Sequence, residues 1–509
     1  MATRISIFRR APGEEGPLRT ARRRVVDLAW GTDRRRTLTA VAIVLAAVAF
    51  YFLFRRGSPY GLLQLAILVG VFFTIMLKPH VGVIALKVYR AFARGLRVEY
   101  LVKNLGVTIT KSIGLFTLVA FVALVVTKKI RPVFGHRNQL LLLYGLLLST
   151  LISAFAALQW RSVGVTVFQM VQNVILYIIF VNLFAEAKWL SRFMWFTILA
   201  LLASCLSGLG SVALRGVIRA AGAMGNANGL AVVANHAAAM LLVLVLAEPE
   251  FKKRFLFLAG LGLCLTTIVF TGSRGGLLTV IVTFAYQLIK RRKNLIPYLV
   301  AALILVGVFV AVPGQYKARQ EEWFGALFAG ETEKVLGGAR GFVYRSAWDT
   351  FKTSPLIGVG PRTFSVIYQE EYAGAARGPV AGVRAVHSGL LEVLVGNGVV
   401  GFAVFASLIV VTFLIFRANE RRCRAAGLKE YLLLNQVYEA WYVAVIVAGS
   451  FETILRGGHS FFVACAAAAV IHRASVLLAA ERNASALSPA PAAAEGAAGR
   501  PAADAAPAA

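Results

Sequence analysis

Charge is scarce in this sequence. Only 15% of its 509 residues are Asp, Glu, Lys or Arg, and the 23 acids are outnumbered by 54 Lys and Arg. Soluble domains average about 25% charged residues, so a water-soluble globular fold is excluded. Cysteine is scarce too. Cys205, Cys264 and Cys465 lie in apolar segments and Cys423 in a basic loop, with no CxxC spacing. That excludes a zinc-ribbon site and a disulfide framework. The chain has no DxD, no HExxH and no P-loop, so cytoplasmic nucleotide-sugar chemistry and ATP-driven transport have no visible machinery. No short n-region precedes a small-residue cleavage site, and no cleavable signal peptide is expected.

What fills the chain instead is apolar residues, 59% of it, with a mean hydropathy of +0.73. Runs of about 20 such residues cross about 30 Å of hydrocarbon as helices. Their length without alternation excludes barrel strands. Candidate spans fall at 37–54, 60–77, 105–126, 139–157, 162–184, 191–213, 227–247, 254–271, 276–289, 296–312, 388–416, 437–455 and 459–478. The expected fold is an all-α integral membrane protein, a polytopic bundle of about 12–14 transmembrane helices with one long, partly helical loop. The count turns on whether 80–95, HVGVIALKVYRAFAR, is an extra pass or re-entrant piece.

The net charge of +31 raises the question of nucleic acid, but its distribution answers it. Basic residues cluster between apolar runs, in KKIRPVFGHR, EFKKRF, KRRKN and RANERRCR, which is the positive-inside pattern of a multispan protein. No nucleic-acid partner is expected; membrane lipids are. The chain divides into a basic cytoplasmic tail (1–36, with ten arginines against four acids), an N-terminal transmembrane bundle (37–312), a large loop (313–386), C-terminal transmembrane helices (387–480) and a disordered Ala/Pro-rich tail (481–509). KRRKN before and RANERRCRAAGLK after the spans that flank the loop place it on the outer, periplasmic side, together with the turns LRGVIRAAGAMGN and TGSRGG. A loop of this length with Trp323, Trp348, Phe342, Tyr344 and Tyr368 is expected to fold onto the membrane domain.

Three features share that outer side. Arg274, in TGSRGG, either marks a tight turn or meets an anion, which its small neighbours Ser273, Gly275 and Gly276 let approach. Arg340 and Arg345 lie in a helix expected over about 340–352, ahead of the turn PLIGVG at 355–360. They are either a solvated face or guanidinium groups suited to a diphosphate, which they can grip bidentately. Of six histidines, His136 and His472 sit near basic ends and read as solvated, His236 lies within a span, and His80 and His459 sit near span ends. Only His387 combines a membrane boundary, the outer side and the end of the long loop. Position alone leaves it either a residue at a helix start or a general base, a task suited to imidazole, whose pKa is ordinarily near 6.5. Gly396, Gly398 and Gly401 are read as allowing close helix packing behind it.

Four segments in order, GNANGLA (225–231), TGSRGGLL (271–278), ARGFVYRSAWDTFKTSPLIGVGPRTF (339–364) and HSGLLEVLVGNGVVG (387–401), resemble the O-antigen ligase and Wzy polymerase family of membrane glycosyltransferases. The resemblance covers about residues 225–416. It implies a metal-independent, cofactor-free, inverting glycosyltransferase of the bacterial inner membrane, multi-pass, with its site facing the periplasm. The donor is a glycan on undecaprenyl diphosphate; the acceptor is lipid A–core or, in an O-antigen or exopolysaccharide polymerase, another glycan. By the same resemblance His387 is the catalytic residue and Arg274 and Arg340, with Arg345 one turn further on, bind the diphosphate. Asn226, Asn228 and Ser273 are further substrate-site candidates. This chain departs from the family in having Ser388 where Asn often follows the histidine, Gly396 in place of an acid, and Asn226-Ala227-Asn228 for Asn-Pro-Asn. A lipid-linked glycan transporter or flippase is the rival from another class; it predicts an internal repeat, and none is visible. A membrane scaffold would leave His387 without a task.

Overall fold

The computed structural model describes residues 69–92, 109–155, 160–291 except 218, 295–311, 338–372, 385–452 and 458–487, with a few isolated positions between them. Every regular element among them is helical. In chain order the main helices are α1 (Pro79–Phe92), α2 (Ile109–Val126), α3 (Arg137–Ala154), α4 (Trp160–Leu183), α5 (Ala187–Arg215), α6 (Ala227–Ala247), α7 (Phe251–Thr271), α8 (Arg274–Lys290), α9 (Ile296–Ala311), α10 (Gly338–Thr353), α11 (Gly389–Ala425), α12 (Lys429–Gly449) and α13 (His459–Leu487).

Seven of these, α4 to α7 and α11 to α13, are long and apolar enough to cross a membrane, and α2 and α9 are shorter apolar helices. The protein is a polytopic all-α membrane protein. The expected span at 37–54 and the first half of that at 60–77 lie outside the described residues, and 69–77 is helical. The ambiguous piece at 80–95 is a separate helix, α1. Its 14 residues reach about 21 Å, short of the hydrocarbon thickness. It packs against α2 and α5, and Lys87 pins it to α13 by donating to Ser460 Oγ at 2.7 Å.

Helix α6 runs through the centre. It is buried on nearly all sides, against α5, α7, α8 and α12. Its Ala237-Ala238-Ala239 and the Ala466–Ala469 run of α13 let backbones approach, which is how helices associate where hydrocarbon offers no hydrophobic drive. Leu299, Leu303, Val306 and Val310 of α9 stay exposed, as a lipid-facing side requires. One core joins residues from α1 to α9 with residues of α11 to α13, so the helices before and after the long loop form a single bundle.

Several expectations are corrected. The basic stretch 417–425 is not a loop, because α11 continues through it and buries Cys423 completely. Its charges are matched there: Lys290 Nζ lies 2.6 Å from Glu420 and also contacts Glu439, while Arg424 donates to Glu420 at 2.7 Å. These links clasp the ends of α8 and α11 to α12, opposite the site described below. α12 spans 429–449 rather than 437–455, which leaves Phe451 and Glu452 beyond its end. The last helix runs to Leu487, past the start assigned to the tail. His136 and His472 are not solvated; they are half-buried with rings 4.9 Å apart.

The described part of the loop, 338–372, does fold onto the bundle, while Trp323 lies outside the described residues. Helix α10 and the segment to Tyr372 form a small second core in which Val343, Ala347, Phe351, Phe364 and Tyr368 meet Val386 and Val395 of the following segment. The seat is a break in α11 at Gly398, with φ 65° and ψ −172°. The break frees the amides of Val399 and Val400 and the carbonyls of Val395 and Gly396. The PLIGVG turn takes all four: Val399 N donates to Pro355 O (2.8 Å), Val400 N to Leu356 O (3.3 Å), Val359 N to Val395 O (3.0 Å) and Gly360 N to Gly396 O (3.1 Å). Backbone groups at this depth need such partners. Gly396 and Gly398 therefore make room for a loop backbone rather than for a neighbouring helix, whereas Gly401 does sit tightly, against Asn397 and Ser149.

Candidate active site

Of the membrane helices that begin at the end of the bundle covered by the loop, α6, α8 and α11 open on a capped N-terminus. Asn226 Oδ1 accepts from Asn228 N (3.1 Å), Ser273 Oγ from Gly276 N (3.2 Å) and Ser388 Oγ from Leu391 N (3.4 Å). Asn226 and Ser273, read from the sequence as substrate-site candidates, are thus occupied as caps. Such termini carry partial positive charge and favour anions. Ser388, where the family often has Asn, is the cap of α11, and both residue types cap well. His387, just before it, is not the cap. Ser388→Ala should cost about 1 kcal/mol, near the lower part of the usual range because the bond is long, and Ser388→Asn should be close to neutral. Thermal midpoints in detergent check both.

A small cleft opens here, bordered by Asn228, Ser273, Gly275, Arg340, Phe451 and Glu452 among others. The glycines after Arg274 serve packing as well as the cleft. A Cβ on Gly275 would stand 2.8 Å from Phe451 Cβ, and one on Gly276 2.8 Å from Ala231 Cβ. The expected role of these small residues, letting an anion approach, is thus joined by a second: they bring α8 against α6 and the end of α12. Arg274 is the first residue of α8 and half-buried; its neighbours, not Arg274 itself, border the cleft.

Arg340, in the first turn of α10, reaches the cleft and lies 3.9 Å from Glu452 Oε1 through its Nη2. His387 Nδ1 lies 3.8 Å from Glu452 Oε2. One carboxylate thus stands between the arginine and the histidine that the sequence singled out. Tyr344, a turn beyond Arg340, points its hydroxyl at the His387 carbonyl at 3.4 Å. Burial pushes that phenol up, Glu452 adds to the rise and Arg340 opposes it. Arg345 is exposed and about 140° around the helix from Arg340; the fold does not bring the two together. His387 has φ 53°, a conformation that is unusual for a residue with a side chain and that marks a constrained position.

Two residues were missed. Glu452 was placed inside an apolar run, and only the true end of α12 exposes it. Arg219, in the turn before GNANGLA, donates to Thr271 O (2.8 Å) and Asn228 Oδ1 (3.3 Å), strapping the turn to the end of α7. Its signal was a second arginine on the side where positive charge is disfavoured.

These observations define a class: a polytopic helical membrane protein with a cleft bordered by Arg340 and Glu452 at one end of its bundle. Residues 259–406 are similar to the family described as O-antigen ligase. The matched segment holds Arg274, Arg340, Arg345 and His387; Asn226, Asn228 and Glu452 lie outside it. No curated protein matches the chain.

Proposed function

We propose that this protein transfers a glycan from undecaprenyl diphosphate to an acceptor hydroxyl, on lipid A–core or on a growing polysaccharide, at the periplasmic face of the inner membrane. The observation that carries the reading is the grouping of Arg340 and His387 about one carboxylate, beside a cleft at which helix N-termini gather. In the proposed step His387 Nε2 takes the proton of the acceptor hydroxyl. The acceptor oxygen bonds to the anomeric carbon as its bond to the diphosphate oxygen breaks, and that oxygen leaves with the electron pair. The anomeric configuration inverts. Arg340 and Arg274 stabilise the charge that grows on the leaving diphosphate, as fixed donors in a partly water-excluded site do. No metal is needed in this scheme, since a base and fixed cations already do the work. Arg345, on the exposed face of α10, is suited to a more distant part of the glycan or lipid headgroup.

The test is glycan transfer by the purified full-length protein in lipid nanodiscs, with a glycan-diphosphate-undecaprenol donor and two acceptors offered separately, lipid A–core and a lipid-linked repeat. Transfer to either, with release of undecaprenyl diphosphate and an inverted linkage, is the expected result; the preferred acceptor separates ligase from polymerase. Movement of the donor between leaflets with no transfer would replace this reading with the transporter.

A further inference from the structure

Glu452 lies outside the family match and belongs to none of the sequence segments that carry the resemblance, yet it touches both groups the mechanism depends on. Its two oxygens face different partners, Oε1 towards Arg340 Nη2 at 3.9 Å and Oε2 towards His387 Nδ1 at 3.8 Å. Its side chain is only 17% exposed, against 41% for His387. Within that partly open ring, Nδ1 is buried and has no hydrogen-bond partner among the described residues, and Glu452 Oε1 is in the same position. Buried polar atoms left unpaired are costly. Here a donor-capable nitrogen and a carboxylate stand less than 1 Å beyond the range of a good hydrogen bond, a gap of the kind that closes when a substrate tightens an active site.

The position of Glu452 is fixed from behind. Phe451 packs onto Gly275 so closely that a Cβ there would clash, which locks the end of α12 to the start of α8. Arg340 holds the other oxygen from the loop. Glu452 therefore sits where α8, α10, α11 and α12 meet. Two further groups of these elements face the contact, Arg340 and Tyr344.

We infer that Glu452 is the positioning residue for His387. An ionised carboxylate can only accept a hydrogen bond, so the ring must carry its hydrogen on Nδ1. That leaves the lone pair on Nε2, the nitrogen on the exposed side of the ring. When Nε2 takes the acceptor proton, the resulting imidazolium keeps its Nδ1–H on the carboxylate, which stabilises the charge. Arg340 lies against the other oxygen of the same carboxylate, so diphosphate binding and the setting of the base share one side chain.

This rests on the base role proposed for His387, and the experiment keeps the two apart. Glu452→Gln, Glu452→Asp and the wild-type protein are compared in the transfer assay and by nitrogen NMR of histidine-labelled protein, the His387 ring being assigned from its loss in His387→Gln. Glu452→Gln is expected to lower kcat on the order of a hundredfold with donor KM within about twofold, and Glu452→Asp to recover about a tenth of the wild-type rate. The His387 ring should be in the Nδ1–H form in the wild type and a mixture of tautomers in Glu452→Gln. Lower donor KM in Glu452→Gln with kcat and tautomer unchanged would overturn the inference, since Glu452 would then only neutralise Arg340. If wild-type protein transfers no glycan, the proposed reaction fails, and the ring signal still decides for or against the pairing.

Discussion

His387→Ala should lower glycan transfer by about three orders of magnitude, within the range that a general base supplies, while the protein stays folded. The fold argument comes first. The cap of α11 is Ser388, so removing the imidazole leaves the helix start intact. The ring is 41% exposed and its contact with Glu452 is longer than a hydrogen bond, so little packing is lost. The backbone at φ 53° offers a second variant that separates chemistry from structure. Glycine adopts this conformation freely, whereas a residue with a Cβ pays roughly 1–2 kcal/mol. His387→Gly should therefore melt at or above the temperature of His387→Ala, and both should be equally inactive. Initial rates at matched expression, with thermal midpoints, decide the matter. Transfer within a few-fold of wild type in either variant would remove His387 from the mechanism.

The loop, its helix and its turn could be read in advance because each carries a local signature. Gly338–Thr353 starts on the second glycine of a pair and ends just before a proline, and PLIGVG reads as a turn whatever lies around it. The starts of α8 and α11 carry a signal of the same kind, small polar residues ahead of apolar runs, although Ser273 and Ser388 were not assigned as their caps. What could not be read is what depends on two distant segments meeting. Glu452 looked like part of a span because Ala448, Gly449 and Phe451 before it are apolar; only packing against α8 shows where the helix stops. The glycines at 396 and 398 were assigned to helix packing, since a Gly-rich run inside an apolar segment usually signals that. Their true partner is a turn 40 residues earlier, and nothing local in either segment names the other. Arg345 was grouped with Arg340 by its nearness in sequence, and five residues along a helix place it on a different face.

Gly398→Ala should cost more stability than any other single alanine substitution of a glycine at this end of the bundle. Its φ of 65° and ψ of −172° belong to a region open essentially to glycine alone. A Cβ there would stand 2.2 Å from the carbonyl oxygen of Leu356 and 2.6 Å from the amide of Gly358. These are backbone atoms and cannot swing aside. Two outcomes are open to the chain. α11 can straighten, restoring the bonds from Val399 to Val395 and from Val400 to Gly396 but stripping the turn of all four partners; or the break can persist under strain with the turn displaced. Either way α10 loses its seat, and Arg340 leaves Glu452 and the cleft. The expected cost exceeds about 4 kcal/mol, the level that marks backbone strain or a broken buried network, and transfer should vanish with it. Limited proteolysis should cut within 338–372 in the variant and spare the wild type. Gly358→Ala, whose Cβ would meet Gly396 at 2.5 Å across the same contact, should give the same cleavage pattern. Gly114→Ala on α2, with open space around it, should leave proteolysis and transfer unchanged. A Gly398→Ala protein whose loop resists protease like the wild type would show that the turn is held by something other than the break in α11.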